Sequence, residues 1–222
     1  IDGIRKLLDI KKRPLVGSII KPKIGLNAKQ HSKVAYQAWL GGCDLVKDDE
    51  NLTSQDFNKF KERVLLTLKM KEKAEKETGE KKAYLPNITA ETNEMLKRAK
   101  FVKENNGNFL MLDIITLGWA ALQTIRNANF NLPLHAHRAG HAILTRNKKH
   151  GISMLSIAKI ARLIGVDTLH IGTAVGKMEG PVKEVSDIEE EIESKIMQKD
   201  KKDHILEQKW YNIKPVFAVC SG

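Results

Sequence analysis

Gly42-Cys-Asp-Leu-Val-Lys-Asp-Asp-Glu-Asn51, GCDLVKDDEN, runs a short apolar segment straight into a lysine and three acids. Two readings stay open on these residues alone. In one, a buried strand ends and a solvated loop leads to a helix capped by Thr53 or Ser54. In the other, acids at a strand tip offer hard oxygen ligands to Mg2+, which takes few protein ligands and keeps water or substrate oxygens. Residues 47 and 49 share a face if the strand continues, because strand side chains alternate.

Outward from this stretch, short apolar runs alternate with longer amphipathic ones. Strands are expected at Leu15–Ile20, Cys43–Lys47, Ala83–Ile88, Phe109–Ile114, Leu132–His137, Thr168–Ile171 and Val216–Cys220. Helical patterns lie between them at Asn27–Leu40, Ser54–Glu77, Glu91–Glu104, Leu117–Asn127, a run begun by Ser153 and stopped by Gly165, and Val185–Lys199. Strand then helix, repeated about seven times, implies a parallel sheet with crossover helices. In this length that predicts an α/β fold of the (β/α)8 TIM-barrel type, truncated after about seven strands, rather than a doubly wound sheet. The turn after the first strand, KPKIGLN, carries no dinucleotide fingerprint.

Barrels of this kind place their chemistry at the C-terminal strand ends. There the sequence puts Lys21 and Lys23, then Lys47, Asp49 and Glu50, then His135, His137, Arg138 and His141. His170 follows, with Lys177 inside GTAVGKMEG, and the chain closes on Ser221 and Gly222. A scatter of such groups over both rims would be unremarkable; their collection on one rim points to a site. His135 and His137 share one strand face, where an ionisable pair is costly to bury. Histidine suits proton transfer near neutral pH, and arginine suits phosphate. Lys21, if partly desolvated, acts on protons; Lys177 between glycines describes a cation on a mobile lid. A basic loop and a plain flexible connection are the competing readings of those two segments.

The 222 residues are 41% hydrophobic and 29% charged, ordinary for a globular protein. The net charge of +11 suggests anionic partners. Nucleic acid is not expected, because the lysines alternate with glutamates along helices, as in KMKEKAEKETGEKK. The apolar stretch Phe109–Ile125 is too short and too polar for a membrane span, and no secretory leader pattern opens the chain. Cys43 and Cys220 suggest neither a metal site nor a disulfide framework, so a cytoplasmic setting is expected. The start at Ile1 and the stop just after an apolar run look like cut ends.

IIKPKIGL, GGCDLVKDDEN, LHAHRAGH and HIGTAVGKMEG, in that order, resemble the large subunit of ribulose bisphosphate carboxylase/oxygenase (RuBisCO) over nearly the whole chain. YLPNIT from Tyr84 and the GKMEG lid are similar to the archaeal form III enzymes. The resemblance implies that Lys47 is carbamylated by a non-substrate CO2 and joins Asp49 and Glu50 as an oxygen ligand of Mg2+, while Asp48 points elsewhere. It implies Lys21 as the proton-transfer lysine with Lys23 beside it, His137 in proton movement, and Lys177 stabilising the new carboxylate. Arg138, His141, His170, Ser221 and Gly222 become substrate-binding residues at the phosphates. The implied reaction converts ribulose 1,5-bisphosphate and CO2 into two 3-phosphoglycerate, with O2 as a competing substrate, in a homodimer or larger homo-oligomer. A role in nucleoside monophosphate salvage also follows from the form III likeness.

Against that family's pattern, residues 1–222 are expected to be the C-terminal catalytic barrel domain, incomplete in its last unit and lacking the N-terminal α+β domain. A fragment inactive by itself is therefore expected. Two other functions compete: a RuBisCO-like enolase or isomerase that does not fix CO2, and a non-catalytic basic binding protein. Lys21, His170 and Lys177 favour the carboxylase over the former.

Overall fold

The computed structural model describes residues 1–147, 149–173, 182–197 and 208–221. In chain order these form α1 (Asp2–Leu8), β1 (Gly17–Ile19), α2 (Ala28–Leu40), β2 (Leu45–Lys47), α3 (Phe60–Thr78), β3 (Ala83–Leu85) and α4 (Thr92–Glu104). There follow β4 (Leu110–Asp113), α5 (Ile114–Ala128), β5 (Leu134–His137), α6 (Ala142–Thr145), α7 (Met154–Ile164), β6 (Thr168–Gly172) and α8 (Val182–Glu193). Last come β7 (Ile196–Met197), β8 (Gln208–Lys209) and β9 (Phe217–Cys220).

β1, β2 and β3 pair in parallel, as do β4, β5, β6 and β9. The two ladders join through an Asn87–Met111 bridge, with Ile88 N donating to Met111 O and Met111 N to Pro86 O. Seven parallel strands in chain order, each crossover carrying a helix, are the barrel arrangement expected from the sequence. β7 and β8 form a separate antiparallel pair that the sequence pattern did not announce.

Alternation along the strands sorts side chains into two layers. Val46, Tyr84, Leu110, Leu112, Ala136, Leu169 and Ile171 are buried with helix residues such as Trp39, Val64, Met95, Leu122 and Ile157. Ala83, Leu85, Phe109 and Met111 pack instead with Ile4 and Leu8 of α1, with Leu45 and Phe217 against them. α1 thus covers apolar strand residues that the helices following the strands leave exposed, a job its sequence, read alone, did not reveal. The same alternation puts Lys47, Asp113, His135, His137 and His170 on the Met111 side, toward the C-terminal strand ends.

Three helix starts follow local chemistry. Asn27 and Gln30 form a capping box for α2, Glu91 accepts from Asn93 N and Glu94 N at α4, and Ser153 accepts from Ser156 N at α7. α7 ends on left-handed Gly165, as expected. Two expected starts are corrected. α3 begins at Phe60 rather than Ser54, because Arg63 and Asp48 tie residues 53–58 into a turn, while Ser54 Oγ accepts from Phe60 N. α5 begins at Ile114 rather than Leu117, with a break at Gly118, whose φ of 73° no other residue adopts as cheaply.

Candidate active site

Lys47 ends β2 and is 9% exposed. Its Nζ donates to Asp48 O at 3.0 Å and lies 3.5 Å from Glu50 Oε2. Met111 Sδ, 3.8 Å away, supplies the soft side of the pocket. Burial pushes the Lys47 ammonium below its usual range, even though Glu50, Asp113, Asp49 and Asp48 all favour the charged form. This lysine is thereby brought nearer the neutral amine that can act as a nucleophile.

Asp49 is held by three donors: Lys21 Nζ on one oxygen, and Asn51 N and Nδ2, both at 2.9 Å, on the other. Burial raises its carboxyl, but Lys21 and Asn51 outweigh that and hold it below the ordinary carboxylate range. Glu50 differs. Its Oε2 is buried with no hydrogen-bond partner among the described residues, 3.9 Å from His137 Nε2. A hard oxygen that accepts no hydrogen bond among the described residues, beside a lysine whose ammonium is disfavoured, is a donor set suited to an electrophile or a cation. Among the described residues no three acid, histidine or cysteine side chains gather as a preformed cation site.

His137 ends β5 directly opposite Asp113 of β4. Its Nδ1 accepts from Ala139 N at 3.2 Å and lies 3.4 Å from Asp113 Oδ1, an atom that has no hydrogen-bond partner among the described residues. The other Asp113 oxygen accepts from Asn87 Nδ2 at 3.0 Å and Thr89 Oγ1 at 3.3 Å. The His170 ring lies 5.2 Å from that of His137, and its Nδ1 is buried with no hydrogen-bond partner among the described residues. Burial, then the His137 and Arg138 charges, push His170 down to about 3; burial and the same two neighbours push His141 down to about 4. His135 is buried deeper, with Nδ1 2.7 Å from Thr168 Oγ1 and Nε2 without a hydrogen-bond partner among the described residues.

Arg138 is half-buried against Gly172, where a Cβ would come within 3.0 Å of its Nη2. Ser221 N donates to Gly172 O at 2.9 Å, and Ser221 Oγ meets Thr173 Oγ1 at 2.8 Å. A basic fork, the His170 imidazole and a hydroxyl pair therefore collect beside the Gly172 turn, a set suited to an anion. Lys23 is exposed on the rim. Lys177 and Gly222 lie outside the described residues. The structure thus brings Lys21, Lys47, Asp49, Glu50 and His137 into one cluster and Arg138, His170 and Ser221 into an adjoining one, with His141 near Arg138.

The sequence reading did not single out Asp113, Asn87 or Arg63 as site residues. Asp113 looked like an interruption of an apolar run. A lone acid four residues into that run, where β4 ends and α5 begins, was the available signal.

The chain matches the family described as "Ribulose bisphosphate carboxylase large chain, catalytic domain" over residues 1–222. A ribulose bisphosphate carboxylase of Methanocaldococcus jannaschii is 54% identical over 222 residues, covering 100% of this chain and 52% of that protein. One from Pyrococcus abyssi is 46% identical over 224 residues, covering 100% of this chain and 50% of the relative. The chain spans about half the length of the curated relatives it matches. Among solved structures, a dimeric archaeal Rubisco from Hyperthermus butylicus superposes with a TM-score of 0.92 at 44% identity, covering 99% of this chain and 51% of that one. The octameric Rubisco of Pyrococcus horikoshii gives 0.89 at 46% identity, covering 99% and 49%. With a match that runs the length of the chain and relatives this similar, the protein belongs to the ribulose bisphosphate carboxylase large-chain family, in the region of its catalytic domain.

Proposed function

We propose that this chain carries the carboxylating face of a ribulose-1,5-bisphosphate carboxylase/oxygenase. One observation carries the reading: Lys47, buried at the tip of β2 with its ammonium disfavoured, faces Glu50 Oε2, which accepts no hydrogen bond among the described residues. The neutral Lys47 amine attacks CO2, forms a C–N bond and loses a proton, giving a carbamate. That carbamate with Asp49 and Glu50 would hold Mg2+ through oxygen atoms. When bound there, Mg2+ supplies Lewis acidity and a template for the substrate's oxygens.

The remaining roles belong to the chain. Lys21 moves the proton exchanged at the substrate carbon, with Lys23 assisting on the same rim. His137, in reach of both Asp113 and Glu50, moves protons beside it. Arg138, His170 and Ser221 bind one phosphate by the Gly172 turn, with His141 supporting them. Lys177 and Gly222 keep the roles that the family likeness implies, at the new carboxylate and at a phosphate. CO2 and O2 compete for the same activated sugar, and the working form is a homo-oligomer, in line with the dimeric and octameric relatives.

The test is incorporation of labelled CO2 into acid-stable product, with ribulose 1,5-bisphosphate and Mg2+, by the natural polypeptide that carries this sequence. Incorporation lost in Lys47→Ala supports the proposal. A folded protein that binds Mg2+ but fixes no CO2 overturns it in favour of an enolase or isomerase on the same site.

A further inference from the structure

Asp48 sits between the two groups at the head of the site and points away from them. It is 0% exposed, and its carboxylate is saturated by four donors. Oδ1 accepts from Tyr84 Oη at 2.6 Å and pairs with His31 Nε2 at 3.0 Å; Oδ2 accepts from Arg63 Nε and Asn87 N, each at 3.0 Å. Burial raises its carboxyl, but Arg63, His31 and Tyr84 outweigh this and keep it ionised.

Arg63, on the first turn of α3 and also 0% exposed, does more than pair with that charge. Its Nη2 donates to Thr53 O at 2.7 Å and its Nη1 to Asn58 O at 3.1 Å. One planar guanidinium therefore clamps the beginning, middle and end of the segment from Asp48 to Asn58. Asp49 and Glu50 ride on that segment, and Asn87 Nδ2 holds Glu50 O at 3.1 Å. The direction in which the two carboxylates project is set by a clamp lying on the helix side of the sheet.

Resting on the proposed carbamate–Mg2+ site, we propose that Arg63, acting through Asp48, is a positioning residue for Lys47, Asp49 and Glu50, and that its loss weakens metal loading at this turn. Partners that orient metal ligands are worth about 10- to 100-fold in metal affinity. A stabilising ion pair alone would lower the melting temperature and leave metal affinity untouched.

The experiment uses the natural polypeptide, with calorimetric titration of Mg2+ in CO2-equilibrated buffer. The 13C signal of a lysine carbamate is followed in parallel. Arg63→Lys keeps the charge but cannot reach Asp48, Thr53 and Asn58 together. Tyr84→Phe removes one donor from Asp48 and no charge, and it reports even if Arg63→Lys fails to fold. Each is expected to raise the Mg2+ dissociation constant about 10-fold and reduce the carbamate signal at sub-saturating Mg2+. Arg162→Lys is the control. Arg162 is equally buried, but it holds the carbonyls of Glu191 and Ser194 at 2.7 Å, away from the turn. It should lower the melting temperature with no change in Mg2+ affinity. An unchanged dissociation constant in Tyr84→Phe, or an equal rise in Arg162→Lys, overturns the inference. A wild type with no CO2-dependent Mg2+ binding and no carbamate signal would instead sink the proposed function.

Discussion

Lys21 occupies an oxygen of Asp49 that the proposed metal would need, so loading the site must break this pair. The lysine side chain is 53% exposed, which limits the pair to about 1 kcal/mol, or about 5-fold in an equilibrium. Lys21→Met is therefore expected to tighten Mg2+ binding by up to about 5-fold while abolishing turnover. Calorimetry beside a carboxylation assay checks both, and weaker Mg2+ binding would show that Lys21 helps to build the site rather than blocking it. The histidines give a second test. His170 at about 3 and His141 at about 4 lie below the ordinary value of 6.5, and buried His135 lies well below it too. Between pH about 6.5 and 4 the unfolded chain binds more protons than the folded one, so stability rises with pH across that window. It is fully present above about 6.5 and is lost as the pH falls. Urea midpoints should drop from pH 7 to 4.5, and drop less in His170→Gln; parallel pH profiles would contradict the assignment. The candidate residues that the structure brings together lie mostly at or just after the ends of apolar strands, where position along the strand predicts the rim. Asp113 and Arg63 escaped because their meaning depends on non-local partners: the register opposite His137, and the buried carboxylate of Asp48 at the end of β2.

Strand β6 shifts register against β9 between His170 and Gly172, and Gly172 takes a φ of 136°. The irregularity turns the chain so that Gly172 O receives Ser221 N while Arg138 packs over the missing side chain. Gly172→Ala would strain the backbone and press a Cβ to 3.0 Å from Arg138 Nη2 and 3.3 Å from Val185 Cγ2. The expected cost is about 1–3 kcal/mol in stability, with weaker binding of a sugar bisphosphate, read by urea denaturation and ligand titration. Undiminished phosphate affinity would separate Arg138 from the anion site. At α7, Ser153→Ala should cost about 1 kcal/mol with no effect on ligand binding, since the cap on Ser156 N lies on the helix alone. Elements with such local signals, an N-cap at one end and a left-handed glycine at the other, were legible to within a residue or two. The start of α3 was not, because a tertiary clamp rather than a cap decides it. The break in α5 at Gly118 was hidden for a related reason, since an apolar run continues through it.

The alternating pattern sufficed to identify a parallel barrel because each βα unit carries its own periodicity, and the order of the strands follows from the handedness of crossovers. The role of α1 was not legible, since covering Leu85, Phe109 and Met111 is visible only once those residues are placed together. The described strands leave a further consequence at this scale. β1 and β9 each pair on one side only, so two rows of backbone donors and acceptors have no partner strand among the described residues. Opposing association through those edges is the net charge of +11, which makes like molecules repel. Repulsion between exposed charges is screened over about 10 Å at 0.1 M salt and about 3 Å at 1 M, whereas strand pairing is insensitive to salt. The 222-residue polypeptide, purified by itself, is therefore expected to self-associate more strongly as salt rises from about 0.01 M to 1 M. Sedimentation velocity at several protein concentrations measures this directly. A Val219→Lys substitution on β9 adds a charge to one edge strand and should shift the association to higher salt. A chain that stays monomeric at every salt and concentration would mean that the β1 and β9 edges are covered in solution, and that the paired strands account for less of the assembly than the sheet order implies.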